Sequence, residues 1–422
     1  DGQARTFSDL SNPDVRAFHE AFADIAALFQ QFTYRDLVRR QLARHRGDLS
    51  AASLLGALAK QFGEGTGKAG PLRRYPEIDP DITYETTFET HKRGSLLVAA
   101  VYRAFLAIVE RRTADLVRLA TSGTGILPEG AIHPDLVDRL TDETTKAAKH
   151  VLTMCIRALD YTPPVDITFG EYLRAIITAD MEEYADDRLG YRVAFLEAFR
   201  IFQILPRNLR TVSADTLCWR VWDGEQPRWL MQAIAKLDIS VTPRATRRQI
   251  FEASEKNCAT LRDGIRHGLN SQADCDPLGL QYRLKYFSSL THRGYSNGTT
   301  LMVENVRVAR RVRPDGELAM QLVAVVRQRR PEAISGSSPG DGSDRFWFRG
   351  GATLVIDLFG PNGPQIRYVI RKPILSPGRL SRERAFRSGD VQAALRSIYF
   401  GAGGSKGFLA REPFALMHAE RD

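Results

Sequence analysis

The chain has 422 residues, with 59 Lys and Arg against 50 Asp and Glu and a formal net charge of +9. Hydrophobic residues make up 43% and charged residues 26%, which excludes wholesale disorder and the low-complexity and collagen-like classes. No apolar run reaches the ~18–20 residues of a membrane span, and the length predicts two or three domains.

Four cysteines (Cys155, Cys218, Cys258, Cys275) are scattered without a C-x-x-C pair. That argues against a cysteine zinc site or a disulfide framework, and it points to a reducing, cytoplasmic compartment. The chain opens on Asp1 rather than Met with no signal-peptide pattern, so a segment preceding residue 1 is expected. Arginine supplies most of the positive charge but is spread along the chain, which reads as a solvated surface rather than a nucleic-acid stripe.

Residues 1 to about 265 read as mainly helical. Asn12-Pro13-Asp14 is a helix start, and Phe18, Phe22, Ile25, Leu28, Phe29 and Phe32 recur at helical spacing. Helices are expected over Tyr34–Arg46, Ala51–Phe62, His91–Arg112, Pro134–Asp160, Phe169–Tyr184, Tyr191–Ile204 and Arg244–His267. Gly63–Gly70 is a glycine-rich loop whose frame departs from a phosphate loop, since Lys68 is followed by Ala69. After about Asp276 the period changes to strands over Gly279–Ser288, Thr300–Val312, Leu318–Arg327, Arg345–Leu358 and Gln365–Ile370. Turns are expected at Pro314–Gly316 and Pro361–Gly363, and a loop at Ser335–Ser343. The expected class is α+β, with a helical lobe at 1–160, a helical extension at 161–275 and a basic β-rich domain at 276–422. Phe287, Phe346, Trp347 and Phe348 read as core or interface positions rather than base-stacking ones, so nucleic acid is not the expected partner.

The segment Phe18-His19-Glu20-Ala21-Phe22-Ala23-Asp24 carries the chemistry. His19-Glu20 does not open an H-E-x-x-H motif, because position 23 is alanine. Glu20 and Asp24 lie four residues apart and share a helix face. The spacing leaves two readings: a solvent-facing acidic pair near a helix N-terminus, or a pair gathered on a cation or hydrogen-bond donors. Alone, His91 reads as a capping or partly buried histidine.

Glu20-Ala-Phe-Ala-Asp24 resembles the E-x-x-x-D helix of the thermolysin-like gluzincin zinc metallopeptidases. The resemblance implies that Glu20 is the third zinc ligand and that Asp24 hydrogen-bonds a zinc-bound histidine. Glu89-Thr-His91-Lys-Arg93-Gly94-Ser95 resembles the gluzincin segment in which a histidine opens a long buried helix. That implies an oxyanion-stabilising role for His91, with Glu89 or Glu85 as its orienting acid. Arg157–Arg174 and Thr178-Ala-Asp180 resemble an uncharacterised bacterial branch of such proteins; no catalytic role follows for this block, and Asp160, Asp166 and Asp180 read as helix caps rather than as acids that shape the cleft. The likeness covers roughly residues 1–220.

No H-E-x-x-H occurs in these 422 residues. The resemblance therefore implies that this motif lies on an upstream segment or a separate chain. The expected activity is zinc-dependent peptide-bond hydrolysis, with Zn²⁺ as cofactor, a protein or peptide as substrate and no membrane association. The alternative is a catalytically inactive, peptidase-like binding or regulatory module that uses the basic β-domain to engage a protein or nucleic-acid partner.

Overall fold

The computed structural model describes residues 11–47, 82–184, 186–207, 209, 211–239, 246–282, 301–312, 316, 318–334, 345–360 and 363–389. The expected Ala51–Phe62 helix, the Gly63–Gly70 loop, the Ser335–Ser343 loop and most of both hairpin turns lie outside these residues. The chain divides into two compact units: residues 16–159 with 168–218, and residues 1–15 with 160–167 and 219–422. The α+β class is as expected, although the segment 219–275 shares a unit with the strands that follow it. Among the described residues no helix is long and apolar enough to cross a membrane.

The first unit is helical. Its elements are α1 (Asp14–Gln31), α2 (Arg35–Arg44), α3 (Thr90–Ala120), α4 (Pro134–Ala158), α5 (Phe169–Glu183) and α6 (Tyr191–Ile201). The Asn12 side chain accepts the Asp14 backbone N–H at 2.7 Å, which starts α1 as the sequence signalled. The apolar stripe of α1 is buried at Phe18, Ala21, Ile25 and Phe29. Phe29 and Phe32 meet Phe105 of α3 edge-on, at 5.2 and 4.8 Å between ring centroids. The long helix α3 is buried over most of its first five turns, with Leu97, Val98, Ala100, Val101 and Phe105 fully covered. It runs eight residues beyond the expected Arg112. A Thr168–Glu171 capping box starts α5.

The second unit is built on a four-stranded antiparallel sheet in the order β1-β2-β3-β4: β1 (Leu301–Val312), β2 (Leu318–Ala333), β3 (Arg345–Gly360) and β4 (Gly363–Lys372). Helices α7 (Arg228–Ile234) and α8 (Arg247–Gly268) cover one face, packing Leu230, Ile234, Leu261 and Ile265 against Leu322, Val326, Leu354 and Ile356. A further helix, α9 (Pro377–Ser388), packs Leu380 with Phe346, Phe348 and Ile374. The expected strand at Gly279 does not begin there. The chain instead leaves a 3-10 turn at Asp276–Leu278, and Leu280 N–H bonds back to the Cys275 carbonyl at 3.0 Å.

Backbone groups of β4 are met by the segment before α7. Val221 forms a bridge to Tyr368, Trp222 N–H donates to the Arg367 carbonyl at 2.9 Å, and the Gln226 amide oxygen accepts Ile366 N–H at 3.0 Å. In the middle of β3, Gly351 has φ +149°, and a Cβ there would lie 2.0 Å from the Val326 carbonyl oxygen. The two neighbouring strands approach this closely only with glycine at that position.

The three acids of the 157–180 block act as ion-pair anchors. Asp160 pairs with Arg307 of β1, and Asp166 receives Arg379 Nε at 3.2 Å and Asn12 Nδ2 at 2.6 Å. Asp180 sits between Arg192 Nε at 2.8 Å and His150 Nε2 at 3.1 Å. They hold guanidinium and imidazole groups rather than helix N-termini.

Candidate functional site

The site lies where the start of α3 crosses α1, inside the helical unit. Small residues set the approach. Ala17 and Ala21, one turn apart on α1, are fully buried. Opposite them is Gly94, where a Cβ would stand 3.1 Å from the Ala17 carbonyl oxygen and 3.5 Å from the Ala21 nitrogen. Glu20 lies on the same stretch of α1, and His91 precedes Gly94 by one turn of α3. The close crossing therefore brings these two side chains together: His91 Nδ1 is 3.5 Å from Glu20 Oε2.

The two groups differ in exposure. The Glu20 side chain is 8% exposed, whereas the His91 ring is 34% exposed. A carboxylate removed from water to this extent is stable only with charged or hydrogen-bonding partners. The imidazole beside it is reachable from solvent. Asp24 follows Glu20 one turn along α1 and is half-buried. His19, next to Glu20, is half-buried, and burial pushes its imidazole down to about 4, so it is neutral near pH 7.

Local structure holds His91 at the mouth of α3. Glu89 is the N-cap: its carboxylate accepts the His91 backbone N–H at 3.0 Å and the Lys92 N–H at 2.6 Å. Glu89 thus fixes the backbone that carries His91. Arg93 is buried and donates from Nη1 to the carbonyls of Tyr84 and Thr87, at 2.7 and 2.6 Å. Its guanidinium also lies 4.2 Å from the Tyr84 ring centroid, and Tyr84 stacks on Phe169. The turn before α3 is thereby pinned to the helix it introduces. Neither Gly94 nor Arg93 was singled out from the sequence. The sequence shows Ala17 and Ala21 one turn apart and a glycine near the start of α3, but not that they face one another.

A zinc centre takes three protein ligands and keeps one position open. Among the described residues no group of three His, Cys, Asp or Glu side chains is placed to share a metal ion. The described residues fit one part of such a centre: a single buried carboxylate, Glu20, with His91 beside it. Three further histidines among the described residues have other partners. His133 caps α4 through Nδ1, His267 bonds the Asp263 carbonyl at 2.6 Å, and His150 stacks on Tyr191. The four cysteines are free thiols, and burial pushes Cys155 up to about 12.

Comparison with protein-family models, with curated proteins and with solved structures finds no match to this chain.

Proposed function

We propose that this chain forms part of a zinc-dependent metalloendopeptidase of the gluzincin type, its helical lobe supplying one ligand and one catalytic donor. The observation that supports the reading is the juxtaposition of Glu20 and His91 at 3.5 Å, on two helices that the sequence likeness had paired in function. Glu20 holds one coordination position. Asp24, one turn on, orients a ligating imidazole and fixes its tautomer. His91, held by the Glu89 cap and open to solvent, donates a hydrogen bond to the oxygen of the scissile carbonyl as charge develops there. The two imidazoles and the general-base glutamate come from an H-E-x-x-H sequence on a segment or chain outside these 422 residues. When bound, zinc supplies Lewis-acid activation of water at the substrate carbonyl. The substrate is a peptide or protein, and the compartment is the cytoplasm.

The test is metal analysis and peptide hydrolysis with the intact gene product, or with this chain together with the partner carrying H-E-x-x-H. Stoichiometric zinc is expected. Glu20→Ala should lose it, as one of three protein ligands is removed. His91→Phe should retain zinc and lower kcat by roughly 100- to 1000-fold, as for other oxyanion donors. An intact protein that retains no zinc would remove the enzyme reading and leave a peptidase-like binding module. Unchanged turnover in His91→Phe would remove only the role assigned to that side chain.

A further inference from the structure

A second imidazole in the helical unit is held by a carboxylate. His150 of α4 has its Nε2 3.1 Å from Asp180 Oδ1 of α5, and the other Asp180 oxygen takes Arg192 Nε of α6 at 2.8 Å. Asp180 and Arg192 are both buried. Arg192 also donates to the Tyr184 carbonyl, and Asp187 accepts the Tyr191 and Arg192 backbone N–H groups at 2.6 and 3.0 Å. The rings of Tyr191 and Tyr184 pack on the imidazole at 4.2 and 4.8 Å between centroids. The ring plane of His150 is therefore fixed from three elements. The cluster meets α3 at Arg112, about 30 Å along that helix from His91 by helical rise.

A carboxylate only accepts, so the nitrogen facing Asp180 carries the ring hydrogen and Nδ1 keeps the lone pair. Among the described residues Nδ1 has no hydrogen-bond partner, and the side chain is 23% exposed. Three cations belong to the cluster. Arg192 lies behind Asp180, and Arg112 donates to the Tyr191 hydroxyl at 3.2 Å and to Glu143. Lys146, one turn before His150 on α4, bonds Glu143 at 2.9 Å. Helical side chains lean toward the N-terminus, so the imidazole leans over the turn that carries Lys146. The two acids, Asp180 and Glu143, are each already engaged by an arginine. This excess of positive charge opposes a metal cation at Nδ1 and favours an anionic group there.

We propose that His150 is a phosphoryl-accepting nucleophile, which takes the phosphoryl group of an acyl phosphate at Nδ1. The Nδ1 lone pair forms the N–P bond while the P–O bond to the donor breaks, and the donor carboxylate leaves with the electron pair. The Nε2 hydrogen stays on the ring and in its bond to Asp180, so the step requires no proton transfer. The phosphoryl oxygens bring negative charge to an imidazole ringed by Arg112, Lys146 and Arg192. Asp180 is a positioning residue: it sets the tautomer that leaves Nδ1 free to attack. The role is independent of zinc binding at Glu20.

Incubation of the intact chain with acetyl phosphate tests this, followed by ³¹P NMR and peptide mapping under alkaline conditions, which preserve phosphohistidine and remove acyl phosphates. One acid-labile phosphoryl group is expected, on Nδ1 of His150 and absent from His150→Gln. Lys146→Gln, a change at an exposed position, should slow its formation roughly fivefold by removing one nearby charge. Three results would overturn the proposal: no phosphoryl group on His150, labelling of the more exposed His133 to the same extent, or an unchanged rate in Lys146→Gln. Should His150→Gln fail to fold, the contrast between His150 and His133 in the wild-type chain decides.

Discussion

Gly94 of α3 faces the backbone of α1 so closely that a methyl group at its Cα would meet the Ala17 carbonyl oxygen at 3.1 Å. Even a methyl there is tighter than an ordinary contact, so a larger side chain requires one helix to give way. Gly94→Leu should therefore destabilise the helical unit by about 1–3 kcal/mol through overpacking. It should also part Glu20 from His91. A lowered urea midpoint, read by far-UV circular dichroism with an unchanged slope, checks the first effect. Loss of zinc retention in the intact protein, at a temperature where the variant is still folded, checks the second.

Arg93 joins the turn at Tyr84–Thr87 to the first turn of α3 by two hydrogen bonds and a stacked ring. Arg93→Ala should cost about 2–4 kcal/mol, because two charge-assisted bonds and a buried stack are lost together. Arg93→Lys should recover less than half of that, since an ammonium cannot present the planar fork to two carbonyls and the Tyr84 ring at once. Thermal or denaturant melts of the three proteins give the comparison.

The Asp180 carboxylate, 3% exposed, is the counter-charge for an Arg192 side chain that is 5% exposed. Asp180→Asn leaves a buried guanidinium without its anion, and should cost about 3–5 kcal/mol. Replacing both partners by Leu and Met should cost clearly less than the single change. A double-mutant cycle by chemical denaturation measures the difference; equal losses in the single and double variants would show that packing, and not the ion pair, carries the stability.

Burial raises the thiol of Cys155 to about 12, with Tyr172 donating to the Cys155 backbone carbonyl at 2.9 Å beside it. At pH 8 the thiolate fraction is then on the order of 10⁻⁴. Modification of Cys155 by a disulfide reagent should wait for unfolding, and its rate should follow denaturant concentration. Peptide mapping after timed quenching reads this residue separately from Cys218 and Cys258, which are only partly buried.

The helical half of the fold was legible where periodicity and start signals agreed. Asn12-Pro13-Asp14 marks the start of α1, and the helices expected from Pro134 and Phe169 begin at those residues. Strand β2, expected over Leu318–Arg327, runs six residues further, past Pro331 to Ala333. The strand continues to Ala333 on its pairing with β3, which runs through Pro331 opposite Trp347 to Ala333 opposite Arg345. Helix α9 went unread. Its buried face is Arg379, Leu380 and Glu383, and hydrophobic spacing does not register a helix anchored by charge.

At the candidate site, sequence spacing brought Glu20 and Asp24 to one face, but it did not place His91 against Glu20; the likeness did no more than pair their roles. Their meeting depends on the Ala17–Gly94 approach, a packing relation between distant segments that no local pattern encodes. Likewise Glu89 could be read as an acid near His91, whereas its use as the α3 cap is decided by the φ and ψ of one residue.

The short stretch ahead of α7 has a consequence for how this protein behaves in a crowded solution. By engaging Ile366, Arg367 and Tyr368, it leaves an incoming chain no continuous ladder to dock on along that flank of the barrel-free sheet. Loosening the Gln226 clamp would turn a finished border into a template, and the first sign would be self-association rather than unfolding.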